Sequence, residues 1–233
     1  MSNIANPSEP HPWQPVLDKG RIVFARSLQA FVPPEYKALF ATAYLQELQK
    51  VKTLGGLPRL MVRKSVTTGQ LLKLEVTPAT ALALKGRHAL KLQDSGPLQV
   101  RLFVRLPGNR LLVTRTEEGW RTGVWHELTV LHTDGLTQVS ETICARLEEL
   151  LDMPLLPTEK SAVRLLGYGA SPKPFVAMFA DLPHACVGSA ANPTNCWLAP
   201  MDAALAHLEG ECEASKACAL TLQALCSQEA YRA

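Results

Sequence analysis

Apolar and polar residues alternate most clearly around position 100. Val100, Leu102, Val104 and Leu106 interleave with Arg101, Phe103 and Arg105, and a period of two predicts a strand. This alternation turns Arg101 and Arg105 toward a solvated face. Pro107-Gly108-Asn109 supplies turn chemistry and Leu111-Leu112-Val113 starts a returning strand, so a β-hairpin is expected. Glu117-Glu118-Gly119 forms a second turn region before Trp120 and the run Val124-Trp125-His126-Glu127-Leu128. A loop at Asp134-Gly135 leads to a helix expected over 137–151, with Val139, Ile143, Leu147, Leu150 and Leu151 as its buried stripe. Pro154 and Pro157 close it. Further strands are expected over 163–166, 175–180 and 196–198, with a loop at Asn192-Pro193. Pro200 opens a helix carrying Ala204, Leu205 and Leu208, and a last helix is expected over 215–225.

The N-terminal part is patterned differently. Pro7, Pro10, Pro12 and Pro15 fix φ and remove backbone donors, so residues 1–20 are expected to be an extended arm. The run Ile22-Val23-Phe24-Ala25 predicts a strand. A helix is expected to begin beside Pro34, within 32–50, since proline suits a first helical turn. Leu39, Phe40, Ala43, Tyr44, Leu48 and Val51 recur at helical spacing, and Gly55-Gly56 ends the pattern. Between 57 and 99 the pattern predicts strands at 60–62 and 71–76, then a helical turn from 79 to 84 after Thr77-Pro78. There is no internal repeat. The order of hairpin, loop, helix, strands and helix predicts an α+β fold, a mixed-sheet α/β/α sandwich with an N-terminal extension and helix. The division read from the pattern is 1–97 for arm, helix and linking region, and 98–233 for the sandwich with its C-terminal helix.

Composition changes this picture only modestly. Of 233 residues, 47% are apolar and 19% charged, which supports a packed core and argues against global disorder. The net charge of +3 leaves room for a local RNA contact without making the protein a general nucleic-acid binder. The cysteines are Cys144, Cys186, Cys196, Cys212, Cys218 and Cys226. None has C-x-x-C spacing, so they read as reduced thiols, with a disulfide pair as the alternative, and not as a metal cage. No window is apolar enough for a membrane helix. The opening residues hold Glu9 and Asp18 and no Lys or Arg before Lys19, unlike a mitochondrial transit peptide.

With the elements placed, the chain resembles a Nudix domain. Leu111-Leu112-Val113-Thr114-Arg115 looks like the strand that precedes a Nudix signature, and Val124-Trp125-His126-Glu127-Leu128 like its Trp strand. Ser140-Glu141-Thr142 resembles the Gly-Glu-Thr turn. The run from Ala145 to Met153, with Arg146, Glu148, Glu149 and Asp152, sits where the signature helix ends. The departures fall on the chemistry. Leu128-Thr129-Val130 stands in for Pro-Gly-Gly, Ala145-Arg146 for Arg-Glu, Glu149-Leu150 for Glu-Glu, and Asp152 for the final glycine. Nudix hydrolysis needs several carboxylates on one helix face to hold divalent cations that polarise a pyrophosphate and activate water. The resemblance therefore implies a catalytically silent relative with no catalytic residue, metal or cofactor. Glu141, Glu148 and Asp152 read as a solvated acidic face, and the sequence has no glycine-rich phosphate loop.

The order of elements is also similar to the Nudix-like family of the mitochondrial ribosome's large subunit. Arg26-Ser27-Leu28 precedes the Pro-initiated helix, and a linking region precedes Asn109-Arg110-Leu111-Leu112-Val113. Gly167-Tyr168-Gly169, Phe175-Val176-Ala177-Met178-Phe179 and Cys196-Trp197-Leu198 then follow in turn. The likeness spans most of residues 20–225. It implies a structural role in the mitochondrial matrix, with ribosomal proteins near the central protuberance and ribosomal RNA as neighbours. A divergent Nudix hydrolase using Glu141, Glu148, Glu149 or Asp152 with magnesium is the alternative, as is a free RNA-binding module on an inactive Nudix fold.

The candidate RNA contacts are Arg59, Arg63 and Lys64, then Lys85, Arg87 and Lys91, and Trp120 after its turn. Cations of this kind neutralise phosphates, and an exposed indole can stack on a base. Trp125 and Trp197 lie in apolar runs and are expected in the core. His126 and His132 flank the former active-site loop and read as structural.

Overall fold

A computed structural model describes residues 12–17, 19–27, 32–50, 56–91, 96–117, 119–170, 173–182 and 195–230, with 228–230 described as backbone only. The expected Asn192-Pro193 loop, the Gly55 helix stop and Cys186 lie outside them, as does most of the N-terminal arm.

The strands are β1 (Trp13–Pro15), β2 (Arg21–Arg26), β3 (Arg59–Thr68), β4 (Leu71–Ala79), β5 (Gln99–Leu106), β6 (Arg110–Thr116), β7 (Gly119–Thr122), β8 (Val124–Glu127), β9 (Arg164–Gly169), β10 (Phe175–Asp181) and β11 (Cys196–Pro200). The helices are α1 (Lys37–Lys50), α2 (Ala81–Ala89), α3 (Leu136–Leu151), α4 (Pro157–Ser161), α5 (Met201–Glu209) and α6 (Glu213–Ala230). A 3-10 turn, Pro34–Tyr36, leads into α1, so proline does open that helix.

The larger sheet runs β1-β9-β10-β5-β6-β11, with β8 on β5 and β7 on β6. It is mixed: β5 lies parallel to β10 and antiparallel to β6 and β8. The β5–β6 hairpin is the expected one, and Asn109 at φ 56° and Gly108 at φ 78° carry its turn. Only Arg105 and Leu106 of β5 pair with β6. The β7–β8 ribbon fills the widening gap, turning at Gly123. That residue has φ +90°, and a Cβ there would stand 2.8 Å from the Leu102 carbonyl oxygen. The turn therefore requires glycine.

Both faces of this sheet are covered, so the fold is an α+β sandwich. Val100, Leu102, Val104 and Leu106 meet Val139, Ile143, Leu147 and Leu151 of α3. Ile22, Leu72, Leu74 and Val76 of the smaller β2-β4-β3 sheet join the same core. On the opposite face Phe103, Phe175 and Phe179 pack with Leu205 and Leu208 of α5 and with Cys218 and Leu222 of α6. Residues before and after position 97 thus share one core. β1 pairs with β9 and buries Trp13 against Phe175, so this part of the arm is a strand of the large sheet.

Five expectations are corrected. Arg101 and Arg105 do not face solvent, because α5 and α6 pack on the sheet face that alternation alone assigns to solvent. Arg101 is fully buried, and Arg105 pairs with Asp181 on the neighbouring strand. The helical turn expected from 79 is strand as far as Ala79, and α2 starts at Ala81 with Thr80 as its cap. Trp197 is 46% exposed, since β11 is an edge strand and its outward position has no covering layer. Trp125 is only half-buried and lines a cleft. Leu150 is a flanking member of the α3 stripe, partly buried against the core.

Candidate functional site

The cleft has a volume of about 950 Å³ and opens beside β8, the β6–β7 turn and the start of α6. Its floor is fixed by the buried Arg101. The guanidinium donates to both oxygens of Glu211 at 2.7 and 2.8 Å, and its Nε donates to the Thr122 carbonyl at 2.7 Å. It also lies 4.1 Å from the centroid of the Trp125 ring, a cation–π arrangement. Burial pulls the pKa of Arg101 down, while Glu211 opposes that effect. Phe175 meets the Trp125 ring edge-on at 5.9 Å. The indole is thus held from beneath and from the side. Its Nε1 is buried and has no hydrogen-bond partner among the described residues.

The walls carry both signs of charge. Arg115, Arg121, Arg146 and Lys173 line the cleft, as do Glu117, Glu127 and Glu211. Two of these acids are engaged from outside the lining: Glu211 by Arg101, and Glu127 by Arg59 at 2.8 Å. Arg115 has no ion pair among the described residues. Arg146 pairs with Glu149 one turn along α3, and both side chains are well exposed. Arg121 also reaches Glu211, at 3.9 Å, and Glu117 shares the rim with Arg115.

His126 also lines the cleft, with its ring 5.7 Å from that of His132. Burial depresses the His126 pKa, and His132 and Arg146 add to the effect. His132 accepts the Thr129 amide at Nδ1, 2.9 Å away, which leaves its proton on Nε2. His132 thus ties back to Thr129, while His126 faces the cleft.

The acidic residues of α3 do not form a metal set. Glu148 accepts the Leu155 amide at 2.7 Å and meets Lys160 at 2.8 Å, tying the loop after α3 back to the helix. The Lys160 hydrogen bond and the Leu155 amide hold its carboxyl below the usual range. Glu149 is paired with Arg146, Glu141 is exposed, and Asp152 is the left-handed C-cap at φ 51°. Among the described residues no group of three or more His, Cys, Asp or Glu could hold a metal ion. The divalent cations that a Nudix enzyme uses do not fit these residues.

The candidate RNA contacts are spread over separate elements. Arg59, Arg63 and Lys64 lie on β3, Lys85 and Arg87 on α2, Lys91 just beyond it, and Trp120 on β7. None is among the described residues that line the cleft. Trp120 is exposed, as expected, but Arg87 is buried at 5% exposure and Arg59 is committed to Glu127. Sequence reasoning missed Arg115, Arg121, Arg146 and Lys173 as a group. They come from β6, β7, α3 and the segment before β10, and only the folded sheet brings them together.

Neither the protein-family models nor the curated proteins match this chain. The Nudix resemblance therefore rests on the residues and element order of the chain itself. Among the described residues no helix is long and apolar enough to cross a membrane.

Proposed function

We propose that the chain is a non-catalytic binding and docking subunit built on a Nudix-like sandwich. Its setting is the large subunit of a mitochondrial ribosome, against ribosomal proteins near the central protuberance and ribosomal RNA. The setting is supported by the sequence resemblance alone. The non-catalytic part is supported by one observation: α3 spends Glu148 on Leu155 and Lys160 and Glu149 on Arg146, and sends Arg146 into the cleft. A helix so arranged recruits anions and not divalent cations. Docking is supported by α1, which packs on α2 through Phe40 at Gly86 yet leaves Leu39 and Leu45 more than half exposed. Apolar side chains grouped on one helix favour a protein neighbour.

The test is sedimentation of a gently prepared lysate containing the tagged chain. The expected result is co-migration with large ribosomal subunits and recovery of mitochondrial ribosomal proteins. Slow sedimentation as a small free protein would overturn the ribosomal setting. Metal-dependent release of phosphate or a mononucleotide from nucleoside diphosphate derivatives would overturn the non-catalytic reading.

A further inference from the structure

We propose that the cleft beside Trp125 binds a nucleotide phosphate without a divalent cation, its ring on Trp125 and its phosphate on Arg115 and Arg146. The inference deepens the binding reading above and rests on it. About 950 Å³ matches a ligand the size of one nucleotide. A bare anion would leave the apolar part of that space empty. Arg101 beneath the Trp125 ring and Phe175 at its edge fix the plane of the indole, which makes it a stacking platform and not a mobile surface side chain.

The charge comes from the rim. Glu127 and Glu211 are neutralised by Arg59 and Arg101, which do not themselves line the cleft, so those acids offer little repulsion to an anion. Arg115 has no competing ion pair among the described residues. The Arg146–Glu149 contact is an exposed pair of the kind that contributes little, so a phosphate can displace it. A planar guanidinium fork suits phosphate oxygens. These groups supply the positive charge that a magnesium ion would otherwise bring.

The phosphate has two possible sources, a free mononucleotide or the 5′ end of an RNA strand. The test titrates the full-length chain with adenosine 5′-monophosphate, a 5′-phosphorylated five-nucleotide RNA and the same RNA with a 5′-hydroxyl. Calorimetry is run with magnesium and with EDTA. The expected result is binding of a phosphorylated ligand that EDTA leaves unchanged and salt weakens. Arg115→Ala and Arg146→Ala should each weaken it by about tenfold. Both side chains are exposed, so neither variant threatens the fold. Equal binding of the monophosphate and the phosphorylated RNA supports the mononucleotide form, and preference for the RNA supports the strand end. No binding, equal binding of the 5′-hydroxyl RNA, a strict magnesium requirement, or indifference to both arginine changes would overturn the inference. Turnover of a bound ligand would instead strike the non-catalytic reading, and free sedimentation in a lysate the ribosomal setting, each leaving the binding result standing.

Discussion

Arg101 on β5 and Glu211 between α5 and α6 form a bidentate ion pair at 2.7 and 2.8 Å, with side chains 0% and 8% exposed. The pair joins the sheet to the C-terminal helices from positions 110 residues apart. Removing one partner strands a charge in the interior, which costs about 3–5 kcal/mol. Glu211→Gln should therefore lower unfolding stability in urea by a large part of that amount. Arg101→Met combined with Glu211→Leu should recover much of the loss, since two apolar groups leave no orphaned charge. A single variant as stable as the parent would show that the pair does not anchor the helices.

Gly167 decides whether β1 can belong to the sheet. A Cβ at this position would stand 2.5 Å from the Gln14 carbonyl oxygen and 3.0 Å from the Pro15 Cα, both backbone atoms on the paired strand. Neither atom can rotate away. Gly167→Ala should push β1 off β9 at a cost of about 1–3 kcal/mol, exposing Trp13. Amide exchange at Trp13, Gln14 and Val16 measures this directly. Unchanged protection there would mean the two strands separate without loss.

These two contacts mark where the sequence was legible and where it was not. The β5–β6 hairpin follows from a two-residue period and a Pro-Gly-Asn turn, both local signals. The α3 stripe of Val139, Ile143, Leu147 and Leu151 is likewise local, and all four are buried. The side of the sheet occupied by Arg101 was not legible. The element order predicts helices on both faces, but alternation alone does not say which stretch of a strand they cover. Phe103 between Arg101 and Arg105 was the available hint, since a fully solvated face has little use for a phenyl ring. The counter-ion of Arg101 lies beyond any local window. The cleft was hidden for the same reason: its cations come from four different parts of the chain. Trp125 and Trp197 look alike as members of apolar runs, and only the edge position of β11 separates an exposed Trp197 from a cleft-lining Trp125.

The Glu148 clamp should leave a signature in acid. Lys160 and the Leu155 amide hold the folded carboxyl below its ordinary value. A depressed carboxyl contributes stability that is present above the unfolded pKa, near 4.3 for glutamate, and is lost as pH falls through the folded value. Glu148→Gln should remove part of the acid dependence below about pH 4.5. At neutral pH it should cost only about 1 kcal/mol, because a partly exposed hydrogen bond is weakened by competing water. Urea midpoints from pH 3 to 7 test this; parallel curves for parent and variant would rule the clamp out.

His126 should govern a milder pH range. Burial depresses its pKa below 6.5, and the His132 ring and the Arg146 guanidinium push in the same direction. Protonation therefore favours the unfolded chain, where the imidazole is hydrated and away from both neighbours. Stability is fully present above the unfolded value, and it is lost as pH falls from there through the folded value. One histidine limits the slope to about 1.4 kcal/mol per pH unit, and solvent reaching the cleft keeps it smaller. Replacing His126 by Gln should flatten the stability profile between pH 7 and 5 while leaving the Glu148 region untouched. Titration of the imidazole proton by NMR provides the direct check. A midpoint at or above that of free histidine would mean that neither burial nor Arg146 acts on the ring, and the cleft would be more open to water than its lining implies.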